Sequence, residues 1–239
     1  MASIAHSTAR RWSSLFAGAA WTASTLAFVI AGACLTYATV VEVDRLTRLT
    51  TPTPPEVSDD LIVRNARDEH GRRASFRILL FTDEFRWEMS SANELETGNP
   101  PAFTPEMRNV LDGAQEIIVV GASSEEIVPG LSVDAGQRRE EARAARRADR
   151  IALWVREALS EPVPVRKLNV GHHQPTQAAR NTSDQRRVVI ILVLDRDRDT
   201  NVDEALRAAM SAEIVNAPIF ETLLTRYSLT GGDSFTWVE

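Results

Sequence analysis

Val188-Val189-Ile190-Ile191-Leu192-Val193-Leu194 is a run of seven aliphatic residues with no polar interruption. A strand with one wet face alternates apolar and polar residues, so an unbroken, mostly β-branched run predicts a central strand buried on both faces. Such a strand needs hydrogen-bonded neighbours on both edges and other elements over both faces, which makes the fold a layered α/β one. Working outward, Leu61-Ile62-Val63 and Ser75 to Phe81 read as the strands of a hairpin around the turn Asp68-Glu69-His70-Gly71. Phe85 to Met89 alternates in character, which predicts a half-buried strand. Ile117 to Val120 and Val165 to Val170 read as further strands.

Helices fill the intervals. Ala144, Ala148, Ile151, Val155 and Leu159 recur at steps of three and four, predicting one helix from about Gln137 to Leu159. Glu140, Arg143, Arg147 and Arg150 lie on another face of it, and Pro162 and Pro164 end it. Thr104 is placed to cap a short helix with Pro105 at its first position and Met107, Val110 and Leu111 inward, after a break at Asn99-Pro100-Pro101. Asp203 to Ile214 reads as another helix, and Phe220 to Glu239 has no readable pattern. The expected fold class is an α/β (α+β) sandwich: a mixed sheet with helices packed on it, plus one N-terminal transmembrane helix.

That last helix comes from Ser13 to Val41, which carries no charged side chain. A hydrocarbon core about 30 Å thick needs roughly 20 apolar residues in a helix, and this run exceeds that. A cleaved signal would have a shorter apolar region and stop at its small-residue site. Here the apolar character continues past Ala31-Gly32-Ala33-Cys34 through Leu35, Tyr37, Val40 and Val41. The same continuation disfavours lipidation at Cys34. Trp12 and Tyr37 sit near the two ends, where amphipathic rings favour the headgroup layer. Arg10 and Arg11 precede the run, so the expected topology is N-terminus inside and the remainder outside the cytoplasmic (inner) membrane, in the periplasm. Thr51-Pro52-Thr53-Pro54-Pro55 is a stiff spacer. The expected organisation is a cytoplasmic tail (1–12), the transmembrane helix (13–41), a linker (42–58), a globular domain (59–200) and a C-terminal extension (201–239).

Composition excludes some functions. The net charge of −6 argues against nucleic acid as a partner. Of the 27 basic residues only Lys167 is a lysine, a coding bias more than a functional choice. His172-His173 lacks a nearby Cys, Asp or Glu cluster, so no metal is expected there. Asp195-Arg196-Asp197-Arg198-Asp199 opens like a calcium loop but has Thr200 where Gly belongs and Leu206 where Glu belongs. It reads as a solvated strand end. Asn181-Thr182-Ser183 matches a glycosylation acceptor, a three-residue pattern too short to assign a function by itself. Ser123 and Ser124 have no identifiable base. There is no nucleophile motif or phosphate-cradling loop, so neither catalysis nor a cofactor is expected.

Five segments, in order, resemble the OmpA-like domain, the wall-binding module also found in flagellar stator MotB proteins. Trp87-Glu88-Met89-Ser90-Ser91-Ala92 with Leu95 is similar to the family's first strand and the turn after it. Ile117-Ile118-Val119-Val120-Gly121 is similar to the second strand, Arg147-Ala148 to the Arg-Ala of the long helix, and Gly171-His172-His173-Gln174-Pro175 to the turn after the third strand. Gln185-Arg186-Arg187-Val188-Val189-Ile190 is similar to the entry into the last strand. The resemblance spans about Phe85 to Leu194. It implies non-covalent binding of the peptidoglycan stem peptide, where a carboxylate and a guanidinium hold the two charged ends of a zwitterion. Arg147 would supply the guanidinium. The family's carboxylate belongs to a Gly-His-Thr-Asp motif, and this chain has Gly121-Ala122-Ser123-Ser124 instead, leaving Ser124, Glu125 and Glu126 as the candidate ligand-binding residues beside Arg147. The loop from Ser124 to Glu140 is longer than usual, and Glu140 and Arg143 occupy the family's Asn and Leu positions.

Two rival readings follow. One is a membrane-motor subunit of stator B type beside a membrane protein partner. Such subunits carry their ion on an intramembrane Asp, and Ser13 to Val41 has none, so only a passive role fits. The other is a protein-interaction module that has lost its wall ligand. Gly18, Ala19, Gly32 and Ala33 would permit close helix approach in a homodimer.

Overall fold

The computed structural model describes residues 57–81, 86–96, 103–125, 130–174, 182–232 and 234–238, with only the backbone of 57–59, 183 and 184. The uncharged run 13–41, most of the linker and Glu126 lie outside them. Among the described residues no helix is long and apolar enough to cross a membrane. All of them belong to one unit, Pro52–Glu239.

The elements in chain order are β1 (Val57–Arg67), β2 (Arg73–Phe81), α1 (Pro105–Asp112), β3 (Glu116–Ser123), α2 (Val133–Ala158), β4 (Val165–His172), a 3-10 turn (Ser183–Arg186), β5 (Val189–Arg196), α3 (Val202–Ala212), α4 (Ile219–Thr225) and β6 (Thr236–Val238). The sheet order is β1-β2-β5-β3-β4-β6. Only β3 and β4 run parallel; the other neighbours are antiparallel.

The aliphatic run does what its composition predicts. Val189, Ile191 and Val193 enter a core under α3 and α4, together with Phe76, Ile78, Ile118, Leu206 and Phe220. Val188, Ile190 and Leu192 enter a second core under α1 and α2, with Leu79, Ile117, Leu111, Ile151 and Val155. The period-2 geometry of a strand sends alternate residues to opposite faces, so both must be apolar. Each such fully buried side chain contributes about 1.5–3 kcal/mol.

Several expectations hold with wider bounds. The hairpin forms, and its first strand is 11 residues long, well beyond Leu61 to Val63. Thr104 caps α1, its side chain accepting from the Met107 N–H. The long helix starts earlier than Gln137, at Val133 after a Ser132 cap.

Others are corrected. Residues 86–89 form no strand; Arg86 and Trp87 make isolated bridges, to Arg187 and Leu95. Their alternation arises because Trp87 plugs the second core, stacked on Trp154 with ring centroids 5.5 Å apart. Gly171 and His172 belong to β4, and His173 bridges Tyr227, so the expected turn is a strand end. Residues 201–239 are no appendage. α3 and α4 cover one face of the sheet, and β6 pairs with β4 at its edge. The acidic run after β5 is a solvated strand end: Asp197 pairs with Arg73 and Arg198 with Asp199.

Asp68, His70 and Glu204 present ligand atoms within 4.8 Å of one another, a grouping the sequence does not advertise. Their oxygens are already used. Asp68 accepts from the N–H groups of His70, Arg72 and Asn201 and from the Arg72 guanidinium, and Glu204 accepts from the Glu69 N–H. Burial pushes the Asp68 carboxyl up, but those donors outweigh it and lower its pKa to about 2. The group is a latch tying the β1–β2 turn to the start of α3.

Candidate functional site

The described polar side chains that are buried gather mainly at one corner of the sheet. It lies where β3 and β4 end in parallel, the edge at which open α/β sheets place ligands. Two glycines make the corner possible. At Gly121 a Cβ would stand 2.0 Å from the Ala144 carbonyl oxygen and 2.8 Å from the Ala148 nitrogen, so only glycine lets α2 lie this close to β3. At Gly171, φ is +83° and a Cβ would stand 2.2 Å from the Ser228 hydroxyl. The β3–β4 register slips between Gly121 and Ala122, opposite Asn169 and Gly171. This bulge re-aims the end of β4.

Close packing brings the polar face of α2 down onto the strand ends. Glu140 and Arg143 form an ion pair of 2.6 Å with both side chains buried, and Ser123 donates its hydroxyl to the same Glu140 oxygen. Burying a charge pair costs several kcal/mol per ion and is repaid only by good geometry and further hydrogen bonds. These residues lie on a different face of the helix from its apolar stripe, yet Glu140, Arg143 and Arg147 are all buried; of the four, only Arg150 is away from the interior, bonded to Asn93.

Arg147 is fully buried. Its Nε donates to the Ser91 carbonyl at 2.9 Å and one Nη to the Ala122 carbonyl at 2.8 Å, while the guanidinium lies 5.4 Å from the Trp87 ring centre. It clamps the 86–96 segment to the end of β3. Arg186 does the same from the other side, donating to the Trp87 carbonyl and pairing with Glu96 at 2.9 Å.

Ser124 is also fully buried, directly after β3. The Glu125 N–H donates to the Gln185 side chain at 2.9 Å, and its carboxylate stands 4.0 Å from His173 Nδ1. Glu126 lies outside the described residues. The structure thus brings Arg147, Ser124 and Glu125 to one corner. The Arg147 guanidinium is engaged by backbone carbonyls, and Glu125 leans toward His173.

Sequence reasoning missed several members. Ser228 donates to Glu141 at 2.8 Å and accepts from the His172 N–H, and the His172 ring is 3.5 Å from Glu141. His173 packs edge-on against Tyr227, whose hydroxyl donates to the Gln185 carbonyl. Burial pushes the His173 pKa below the ordinary histidine value, against the opposing pull of the Gln174 carbonyl and Glu125. Burial likewise pushes Tyr227 above the usual tyrosine range. Glu140 and Arg143, three apart on a helix, carry a readable pairing signal. The Ser228 and Tyr227 contacts join residues more than 50 and 40 positions apart and carry none.

No family model matches the chain, and no curated protein does. Among solved structures it is similar to the OmpA-like domain of FopA1 from Francisella tularensis, with 10% identity over 63% of this chain and 95% of that one, at a TM-score of 0.30. It is also similar to the periplasmic domain of MotB, with 14% identity over 74% of this chain and 91% of that one, at a TM-score of 0.30.

Proposed function

We propose that this chain is a single-pass protein of the cell envelope. Residues 13–41 hold it in the cytoplasmic membrane with the N-terminus inside, and the α/β domain stands in the periplasm as a module for non-covalent peptidoglycan attachment or envelope scaffolding. Its role is not catalytic. The observation that carries this reading is the buried charged corner at the ends of β3 and β4, with Glu140, Arg143 and Arg147 inside it. A core gains little from such groups, since apolar residues of equal volume are often as stabilising. Their concentration where the sequence resemblance puts the stem-peptide site supports a binding role there.

One observation favours a second reading. Arg147 spends its donors on the Ser91 and Ala122 carbonyls, and the motif carboxylate is replaced by Ser124. That arrangement suits an OmpA-like interaction module that has given up the wall ligand. A passive place beside a membrane partner in a motor-like complex is a separate rival and does not depend on loss of the wall ligand.

The test is retention of the detergent-solubilised full chain on purified peptidoglycan, with soluble stem peptide as competitor. Retention that the peptide displaces, and that Arg147→Lys weakens without lowering the melting temperature, supports wall attachment. No retention, or retention indifferent to competitor and variant, removes wall attachment and leaves the interaction module.

A further inference from the structure

The sheet ends on β1, and among the described residues its outer edge has no strand partner. Strands of 11 residues are long for an edge, and soluble proteins usually blunt such edges with bulges, prolines or charge. This one is blunted toward both ends, and near its N-terminal end the register slips between Val57 and Asp59. Toward its C-terminal end the register slips between Val63 and Ala66, and Asn65 takes a φ of 56°, which bends the strand. Before that point Asp60, Leu61, Ile62 and Val63 run in unbroken register opposite Leu79, Ile78, Arg77 and Phe76.

The side chains of this regular stretch are unequal. Leu61 and Val63 turn to the core under α3. Asp60 and Ile62 alternate onto the other face, and Arg64, which follows Val63 where the slip begins, is exposed. Ile62 is 46% exposed there, one of few large apolar side chains so open. Asp60 takes a two-pronged bond from Arg77, at 2.6 and 2.8 Å. Arg64 is exposed and has no ion pair or hydrogen bond from its side chain among the described residues.

Asp60-Leu61-Ile62-Val63-Arg64 is self-complementary about its centre. Laid antiparallel against a second copy with the two-fold axis at Ile62, it sets Ile62 against Ile62, Leu61 against Val63, and Asp60 against Arg64 at both ends. A two-fold interface must be self-complementary in this way. Residues directly opposite in an antiparallel pair have Cβ atoms about 4.5–5.5 Å apart, within reach of apolar contact and of ion pairing. We propose that the β1 edge is a homodimer interface: two copies pair β1 to β1 through Asp60–Arg64 and join their sheets into one. The occupant is a second copy because the charge order that matches Asp60 and Arg64 is the chain's own, and Arg64 gains a carboxylate that it lacks among the described residues. The inference does not depend on a ligand at the β3–β4 corner.

The test is disulfide trapping in cells expressing the full chain, with Cys34, the only native cysteine, changed to Ser. Ile62→Cys places two sulfurs across the axis and is expected to give a covalent dimer on mild oxidation. Val215→Cys, at an 89% exposed position far from β1 in sequence, reports random collision. Adding Arg64→Asp sets like charges opposite each other twice and is expected to cut the trapped fraction about tenfold, while Arg64→Lys retains it. Sedimentation of the solubilised full chain, with and without Arg64→Asp, gives a second readout free of any cysteine at position 62. Trapping no greater than at Val215→Cys, indifference to Arg64→Asp, or capture of a protein of different mass would each overturn the proposal.

Discussion

Replacing Gly121 by alanine tests the packing that assembles the corner. The added methyl would stand 2.0 Å from the Ala144 carbonyl oxygen, against 3.4 Å for an ordinary contact, and also 2.9 Å from the Ala148 Cβ. Relief needs a movement of about 1.4 Å, the difference of those two distances. The obstacle is helix backbone, which cannot swing aside as a side-chain tip can. α2 would have to lift as a body, pulling Glu140, Arg143 and Arg147 away from Ser123 and Ala122. Overpacking a core typically costs about 1–3 kcal/mol, and a rigid obstacle places this case near the upper figure. For a domain of about 190 residues each kcal/mol moves the melting temperature by about 2–4 °C, so a fall of roughly 6–12 °C is expected. Gly136→Ala is the control, on the same helix, where a Cβ meets nothing within 4 Å. Gly136 lies in the first turn of the helix, where alanine gains at most the roughly 1 kcal/mol of an interior position, so that variant should melt no lower than the parent and up to about 2–4 °C higher. Thermal unfolding followed by circular dichroism measures both. A Gly121→Ala protein within 2 °C of the parent, by the same scale, would refute the claim that contact at Gly121 sets the height of α2.

The buried ion pair predicts non-additivity. Glu140→Leu alone leaves Arg143 buried beside a lost partner and should cost about 3–5 kcal/mol, whereas Glu140→Leu with Arg143→Met should cost clearly less; urea unfolding of the two variants decides, and equal losses would mean the pair is not coupled. A pH prediction follows from His173. Its folded pKa lies below the unfolded value near 6.5, so the unfolded state binds more protons in that window. Its stability contribution is therefore complete above about pH 6.5 and is lost as pH falls through the depressed folded value. Replacing His173 by Phe should flatten that part of the stability–pH curve, and an unchanged slope in chemical denaturation series would show that the histidine is not its source.

Much of the corner was legible one element at a time. The spacing of Ala144, Ala148, Ile151 and Val155 marks the helix and its inner face, and Gly121 ends a readable strand. What could not be read is that the polar face of the same helix also goes inside. Helical periodicity separates apolar from charged residues but assigns the charged ones to water by default. Here the missing side chain at Gly121 lowers the helix until Glu140, Arg143 and Arg147 meet the strand ends, where hydrogen bonds replace solvent. The sequence-based division at residue 200 failed for a related reason. The helix α3 is recognisable alone, yet whether it covers the sheet or stands apart depends on long-range contacts with Phe76 and Ile191.

By itself the sequence determined the central strand, the hairpin, the long helix and the layered α/β class. These follow from local periodicity, and a strand buried on both faces can be built only from residues that are apolar on both. Tertiary structure alone decided three things: the sheet order, the inward turn of the α2 charges, and the meeting of Ser228, Tyr227 and the two histidines at one edge. Each joins residues distant in the chain, and no local pattern records a contact whose free energy arises only when the layers close.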